Sequence, residues 1–219
     1  MAASARKFPV GRNSRFLCIG DSITDCGRRK EFPPLGNGYV RHFNTLLQAA
    51  FPDLNVQVLN KGIGGNTILD LKQRWEDDVT YHRPDWLSVL IGINDLHHVL
   101  RGAADAGQLG PDRFLENYRE LLDRATREVG CRMILLEPFY LSTDRTDGWR
   151  GRVLKELRPY RQAVARLSRE FKAPLVRLQD IFEAQLKERD PETLGTEPVH
   201  PNEHGHLIIA WNLFRTLSG

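Results

Sequence analysis

Five short apolar runs, at residues 16–19, 56–59, 86–91, 133–136 and 175–178, constrain this chain more than any other feature of it. None shows strict polar–apolar alternation, so each is expected to be a strand buried on both faces, as in a parallel sheet. Parallel neighbours need long crossovers; segments 39–51, 112–129 and 151–171 lie between runs with helical periodicity, and 203–217 continues it after the last run. Within 112–129, Phe114, Leu115, Tyr118, Leu121, Leu122 and Ala125 recur at the spacing of one helix face. The expected fold is therefore α/β: a doubly wound, three-layer α/β/α sandwich around a central, mainly parallel five-stranded sheet.

A chain of 219 residues suits one such domain, expected over 14–219, with residues 1–13 as a flexible lead-in. That lead-in carries Arg6, Lys7 and Arg12 but no apolar core of a secretory signal, and no segment is apolar enough to span a bilayer. The expected setting is the cytoplasm, without membrane association. Lysines and arginines number 31 against 28 acids, a net charge of +3, and they are interspersed along the helical segments. No basic block marks a nucleic-acid footprint, so nucleic acid is not an expected partner. Cys18, Cys26 and Cys131 form an odd set without C-x-x-C spacing, which argues against a disulfide framework and a structural zinc site.

Ligands of doubly wound sheets gather beyond the carboxyl ends of the strands, and polar motifs fall there repeatedly. Gly20-Asp21-Ser22-Ile23 follows the first run, Gly62-Ile63-Gly64-Gly65-Asn66 the second, and Gly92-Ile93-Asn94-Asp95 the third. Val199-His200-Pro201 opens the last helical segment. A serine hydroxyl needs a base, oxyanion donors and usually an acid to orient the base. Ser22, His200, the backbone N–H groups of a glycine turn, the Asn94 amide and Glu197, three residues before His200, could provide them. Taken alone, Ser22 also suits a helix N-cap, the glycines a tight turn, and Asp95 an Asx-turn. His97 could line the pocket. The Gly62–Asn66 stretch lacks both the P-loop ending and G-x-G-x-x-G spacing. Glu197, His200, Glu203, His204 and His206 invite a metal reading, but Pro201 opposes helix at His200 and the His-Glu-x-x-His order is missing, so no metal is expected.

The four blocks, in this order, resemble the SGNH group of GDSL-type esterases and lipases, and imply its flavodoxin-like fold. The fuller strings Gly20-Asp21-Ser22-Ile23-Thr24-Asp25-Cys26-Gly27-Arg28, Asn60-Lys61-Gly62-Ile63, Gly65-Asn66-Thr67 and Arg74-Trp75-Glu76-Asp77-Asp78-Val79 are similar to its intracellular acetylxylan esterases. The resemblance implies Ser22 as nucleophile, His200 as base, and an oxyanion hole made by the Ser22 N–H, the Gly65 N–H and the Asn94 side chain. It implies no cofactor, an acetylated sugar as substrate, and a homo-oligomer as one assembly the family adopts. Asp21 is expected to be structural, or with His97 to border the substrate.

One position departs from the family pattern: Glu197 stands where the family has aspartate. Glu197 could complete a triad, the enzyme could work as a Ser-His dyad, or Asp180 after the fifth run could substitute, though it also suits a helix cap. Two other functions stay open at this point: a thioesterase or lysophospholipase preferring longer acyl chains, and a non-catalytic carbohydrate-binding module on the same scaffold.

Overall fold

The computed structural model describes residues 8–218. Strands β1 (Arg15–Gly20), β2 (Gln57–Gly62), β3 (Trp86–Leu90), β4 (Arg132–Leu136) and β5 (Leu175–Val176) form one sheet in the order β2-β1-β3-β4-β5, and every pairing is parallel. Strand order reverses between β1 and β3, which makes their carboxyl ends the switch point where doubly wound sheets bind ligands. The register is level there: Gly20 stands opposite Gly62 and Leu90, and Leu90 opposite Leu136.

Helices cover both faces. On one, α2 (Tyr39–Ala50) packs against α9 (Glu203–Ser218); on the other lie α3 (Ile68–Gln73), α6 (Pro111–Arg124) and α7 (Trp149–Glu170). The predicted stripe of α6 faces inward, with Phe114, Tyr118, Leu121 and Leu122 buried and Phe114 edge-on to Tyr160 of α7 at 5.2 Å. Shorter helices begin at the motifs themselves: α1 (Ser22–Asp25), α4 (Ile93–Arg101), α5 (Ala106–Leu109) and α8 (Leu178–Gln185).

Three expectations change. β2 is an edge strand whose burial alternates, with Val58, Asn60 and Gly62 inward, because only one side of an edge strand is covered by both layers. The fifth run ends as a strand at Val176, since Leu178 already starts α8. Within the expected lead-in 1–13, Phe8 and Val10 belong to the core and the Phe8 ring stacks on Phe51 at 4.5 Å, while residues 1–7 lie outside the described residues.

The row at the sheet edge requires glycine at its centre. A Cβ on Gly20 would collide with the Leu90 carbonyl of β3 and with Thr24. Neither a strand backbone nor the first helical turn can retreat cheaply, so Gly20→Ala is expected to lose about 2 to 3 kcal/mol of stability, measured as a lower urea midpoint. An unchanged midpoint would mean that β1 and β3 are not so closely set.

Candidate active site

Serine 22 is brought to the edge by a sharp strand-to-helix turn. The Asp21 carboxylate accepts the Ile23 N–H at 3.0 Å, capping α1 in the manner that favours Asp at helix starts. Asp21, rather than Ser22, is thus the cap, and the Ser22 hydroxyl is left to reach His200 Nε2 at 2.8 Å. His200 stands in a loop closed by the Gly195–Pro201 bridge and by the Thr196 N–H donating to the His200 carbonyl at 3.0 Å.

The same loop supplies the carboxylate. Glu197 accepts the backbone N–H groups of Val199 and His200, each at 3.0 Å, and also bonds to His200 Nδ1. Two amide donors fix the carboxylate before the ring meets it, so the extra methylene of glutamate is absorbed within the turn. A carboxylate can only accept; Nδ1 therefore carries the proton, and Nε2 presents its lone pair to the Ser22 hydroxyl. Asp180 does not compete, because it pairs with Arg161, which also binds the buried Glu137.

Beside Ser22 lies the turn after β2. The Asn66 N–H donates to the Ile63 carbonyl at 3.3 Å, and Gly65 has φ +82°, the left-handed value that position i+2 of a type II turn requires. The neighbouring Gly64 N–H is taken by Asp25 at 3.1 Å. Among the described residues the N–H groups of Ser22 and Gly65 have no acceptor. Asn94, in the first turn of α4, donates one amide hydrogen to the Asn66 carbonyl at 3.0 Å and keeps the other. Three donors thus stand available near one hydroxyl. A hydroxyl, an oriented imidazole and such donors can carry out acyl transfer through a tetrahedral oxyanion.

Two acids flank these groups in sequence and are buried beneath them. Asp95 does not form an Asx-turn; it accepts the Ile68 N–H at 2.9 Å, capping α3 from another segment, and its second oxygen has no partner. Burial pushes the Asp95 carboxyl up to about 8 and that of Asp21 up to about 7. Protonation of Asp95 at neutral pH removes a negative charge that would oppose an anion developing nearby. Asp21 is 1% exposed, so its expected place at the substrate is corrected: capping turns it inward. His97 is buried as well, edge-on to Tyr140 and 5.8 Å from the ring of Trp149, the half-exposed aromatic of this group.

The histidines read together in sequence have separate tasks. His204 lies against the Thr193 carbonyl, whereas His206 accepts the Tyr39 N–H on Nδ1 at 3.3 Å and sits 3.2 Å from Cys26 Sγ through Nε2. That second pair is no nucleophile. A donor on Nδ1 leaves the proton on Nε2, which donates to sulfur, and burial, with Asp25 and Asp21 adding, pushes the Cys26 thiol up to about 12.

Arg74 and Asp25 also bind the turn after β2, through Asn66 and the Gly64 N–H; their only local sign in the sequence is the i, i+4 spacing of Arg74 and Asp78, that of a helical ion pair.

Residues 18–208 match the GDSL-like lipase/acylhydrolase family, and the chain belongs to it. It is 37% identical to an acetylxylan esterase from Geobacillus stearothermophilus over 95% of both chains. The crystal structure of that esterase superposes with a TM-score of 0.86 at 36% identity, covering 95% of each chain. Other solved structures of it are catalytic mutants with alanine for a serine, an aspartate or a histidine. An α/β hydrolase from the metagenome of Lake Arreo, Spain, matches with a TM-score of 0.84 at 31% identity, covering 94% of this chain and 96% of that one.

The raised Asp95 carboxyl has a signed consequence. Between about 3.8, its ordinary value, and about 8, the folded state holds a proton that the unfolded chain releases, so stability falls as pH rises through that window. Asp95→Asn keeps an acceptor for Ile68 but cannot ionise. It is expected to be more stable than the parent at about pH 9 and to converge with it near about pH 4, as urea unfolding at both values would show; a constant offset would place the ionisation elsewhere.

Proposed function

We propose that this chain is a serine esterase that removes acetyl groups from a carbohydrate ester through an acyl-enzyme, with Ser22 as nucleophile, His200 as base and Glu197 as the acid that orients it. The observation that carries this reading is the unbroken line from Glu197 to His200 Nδ1 and from Nε2 to Ser22 Oγ at 2.8 Å. His200 takes the hydroxyl proton as Ser22 Oγ bonds to the ester carbonyl carbon. The carbonyl electrons move onto oxygen, where the Ser22 and Gly65 N–H groups and the free hydrogen of Asn94 receive them. Collapse breaks the bond to the sugar oxygen, which leaves with the proton from His200. His200 then removes a proton from water as its oxygen attacks the acetyl-serine carbonyl carbon; collapse breaks the bond to Ser22 Oγ, which takes the proton back from His200, and acetic acid departs and ionises to acetate.

The choice of an acetylated xylo-oligosaccharide-like substrate rests on the acetylxylan esterase with which the chain shares its length and fold. Half-exposed Trp149 gives this reading an aromatic surface suited to a sugar ring. The reading treats residues 8–218 as one catalytic domain around a continuous core. It assigns the cytoplasm on its three free cysteines, which suit a reducing compartment.

Ser22→Ala is expected to abolish p-nitrophenyl acetate hydrolysis and fluorophosphonate labelling together, and retained turnover would remove Ser22 from the mechanism. Rates from acetyl to octanoyl esters are expected to fall with acyl length; a rise would favour a long-chain thioesterase or lysophospholipase. Release of acetate from acetylated xylo-oligosaccharides, compared with acetylated glucosamine and sialic acid, tests the sugar.

Glu197→Ala is expected to lower kcat by about 1,000-fold or more, in line with removal of the orienting acid of a triad. Glu197→Asp is expected to retain part of the activity, because a carboxylate remains on the loop. Full activity in Glu197→Ala would assign the chemistry to a Ser-His dyad.

A further inference from the structure

Arginine 74 follows α3, away from the Ser22–His200 line, yet its guanidinium reaches the ends of β1 and β2 and the turn at Asn66, whose carbonyl in turn holds the Asn94 amide. It is largely buried and uses four N–H groups. Nε donates to Asn66 Oδ1 at 2.7 Å, one terminal nitrogen to the Lys61 carbonyl at 2.8 Å and to Asp78 at 2.5 Å, and the other to the Gly20 carbonyl at 3.0 Å. Asp78, held in turn by Lys61 at 3.1 Å, fixes the orientation of the fork.

Each acceptor leads to one donor. Gly20 precedes Ser22 by two residues, and its carbonyl also accepts the Ile63 N–H at 3.1 Å, which starts the Gly65 turn. Asn66 ends that turn, and its carbonyl holds the Asn94 amide. The Ser22 N–H and the Gly65 N–H therefore sit on two chain segments that this guanidinium ties together, alongside the Asp25–Gly64 bond, and the Asn94 amide joins them through the Asn66 carbonyl. Such preorganisation matters because a displacement of about 1 Å can cost about 100-fold in rate.

We propose that Arg74 is the positioning residue of the oxyanion hole, locking the ends of β1 and β2 and the turn between Ile63 and Asn66 so that the three donors converge. The proposal rests on the reading of Ser22, Gly65 and Asn94 as the donors. Lysine cannot take its place: one ammonium has no planar fork to span the Gly20, Lys61 and Asn66 acceptors together.

The test measures kcat and KM for p-nitrophenyl acetate per active site, titrated to completion with a fluorophosphonate, together with Tm. Arg74→Lys and Asn66→Ala are both used; Asn66→Ala leaves Arg74, Asp78 and the strand-end contacts in place, so it guards against failure of an Arg74 variant to fold. Each is expected to lower kcat about 100-fold with KM nearly unchanged. The double variant is expected to be little worse than either single one, because both remove the same restraint. Parental kcat per titrated site in both, with only Tm lowered, would make Arg74 merely structural and overturn the proposal. Asn94→Ala separates the two levels. If it loses about 100-fold or more while Arg74→Lys and Asn66→Ala do not, the proposal alone fails; if Asn94→Ala is fully active, the donor assignment fails and the proposal with it.

Discussion

A parallel sheet ends all its strands on one edge, and the arrangement of this protein's site depends on how level that edge is. Gly20, Gly62, Leu90 and Leu136 stand in one row, so a few residues of loop bring Ser22, Gly65 and Asn94 into the same neighbourhood. The row can be this tight because Gly20 carries no side chain where the Leu90 carbonyl passes. Beyond the row, backbone carbonyls are bound by Arg74 and by the buried Asn60, which donates to Thr24 and Leu35 carbonyls at 2.6 and 2.7 Å. Polar groups that a strand end leaves unpaired become the anchors of the site.

Two imidazoles near α1 show how little separates a reactive pair from an inert one. His200 donates a hydrogen bond from its Nδ1–H to Glu197 and faces Ser22 with a lone pair; His206 accepts the Tyr39 N–H on Nδ1 and faces Cys26 with a proton. Distance alone would not tell them apart. What differs is the partner on the far nitrogen, an acceptor in one case and a donor in the other.

The fold was legible where burial is symmetrical. β1, β3 and β4 are covered on both faces and appear in the sequence as unbroken apolar runs, whereas the edge position of β2 shows only as alternation, which its lysine and asparagine obscure. Leu178 lies beyond the strand because Arg177, the cap of α8, separates it from Val176, so a buried residue of the helix follows one of the strand after a single polar position. Ser22, Asn94 and His200 could be read from local strings because each sits just past an element end. The use of Asp95 to cap a different helix and the reach of Arg74 to Gly20, 54 residues away, are long-range contacts that no local pattern encodes.

Ser22 and His200 are separated by 178 positions, with β2 to β5 between them. A ribosome therefore releases the hydroxyl early and its partner late, and folding must register β1 through β5 before the two can meet, since distant pairings form only after the entropy of closing the intervening loop is overcome. Throughout that interval the nascent chain carries an ordinary alcohol.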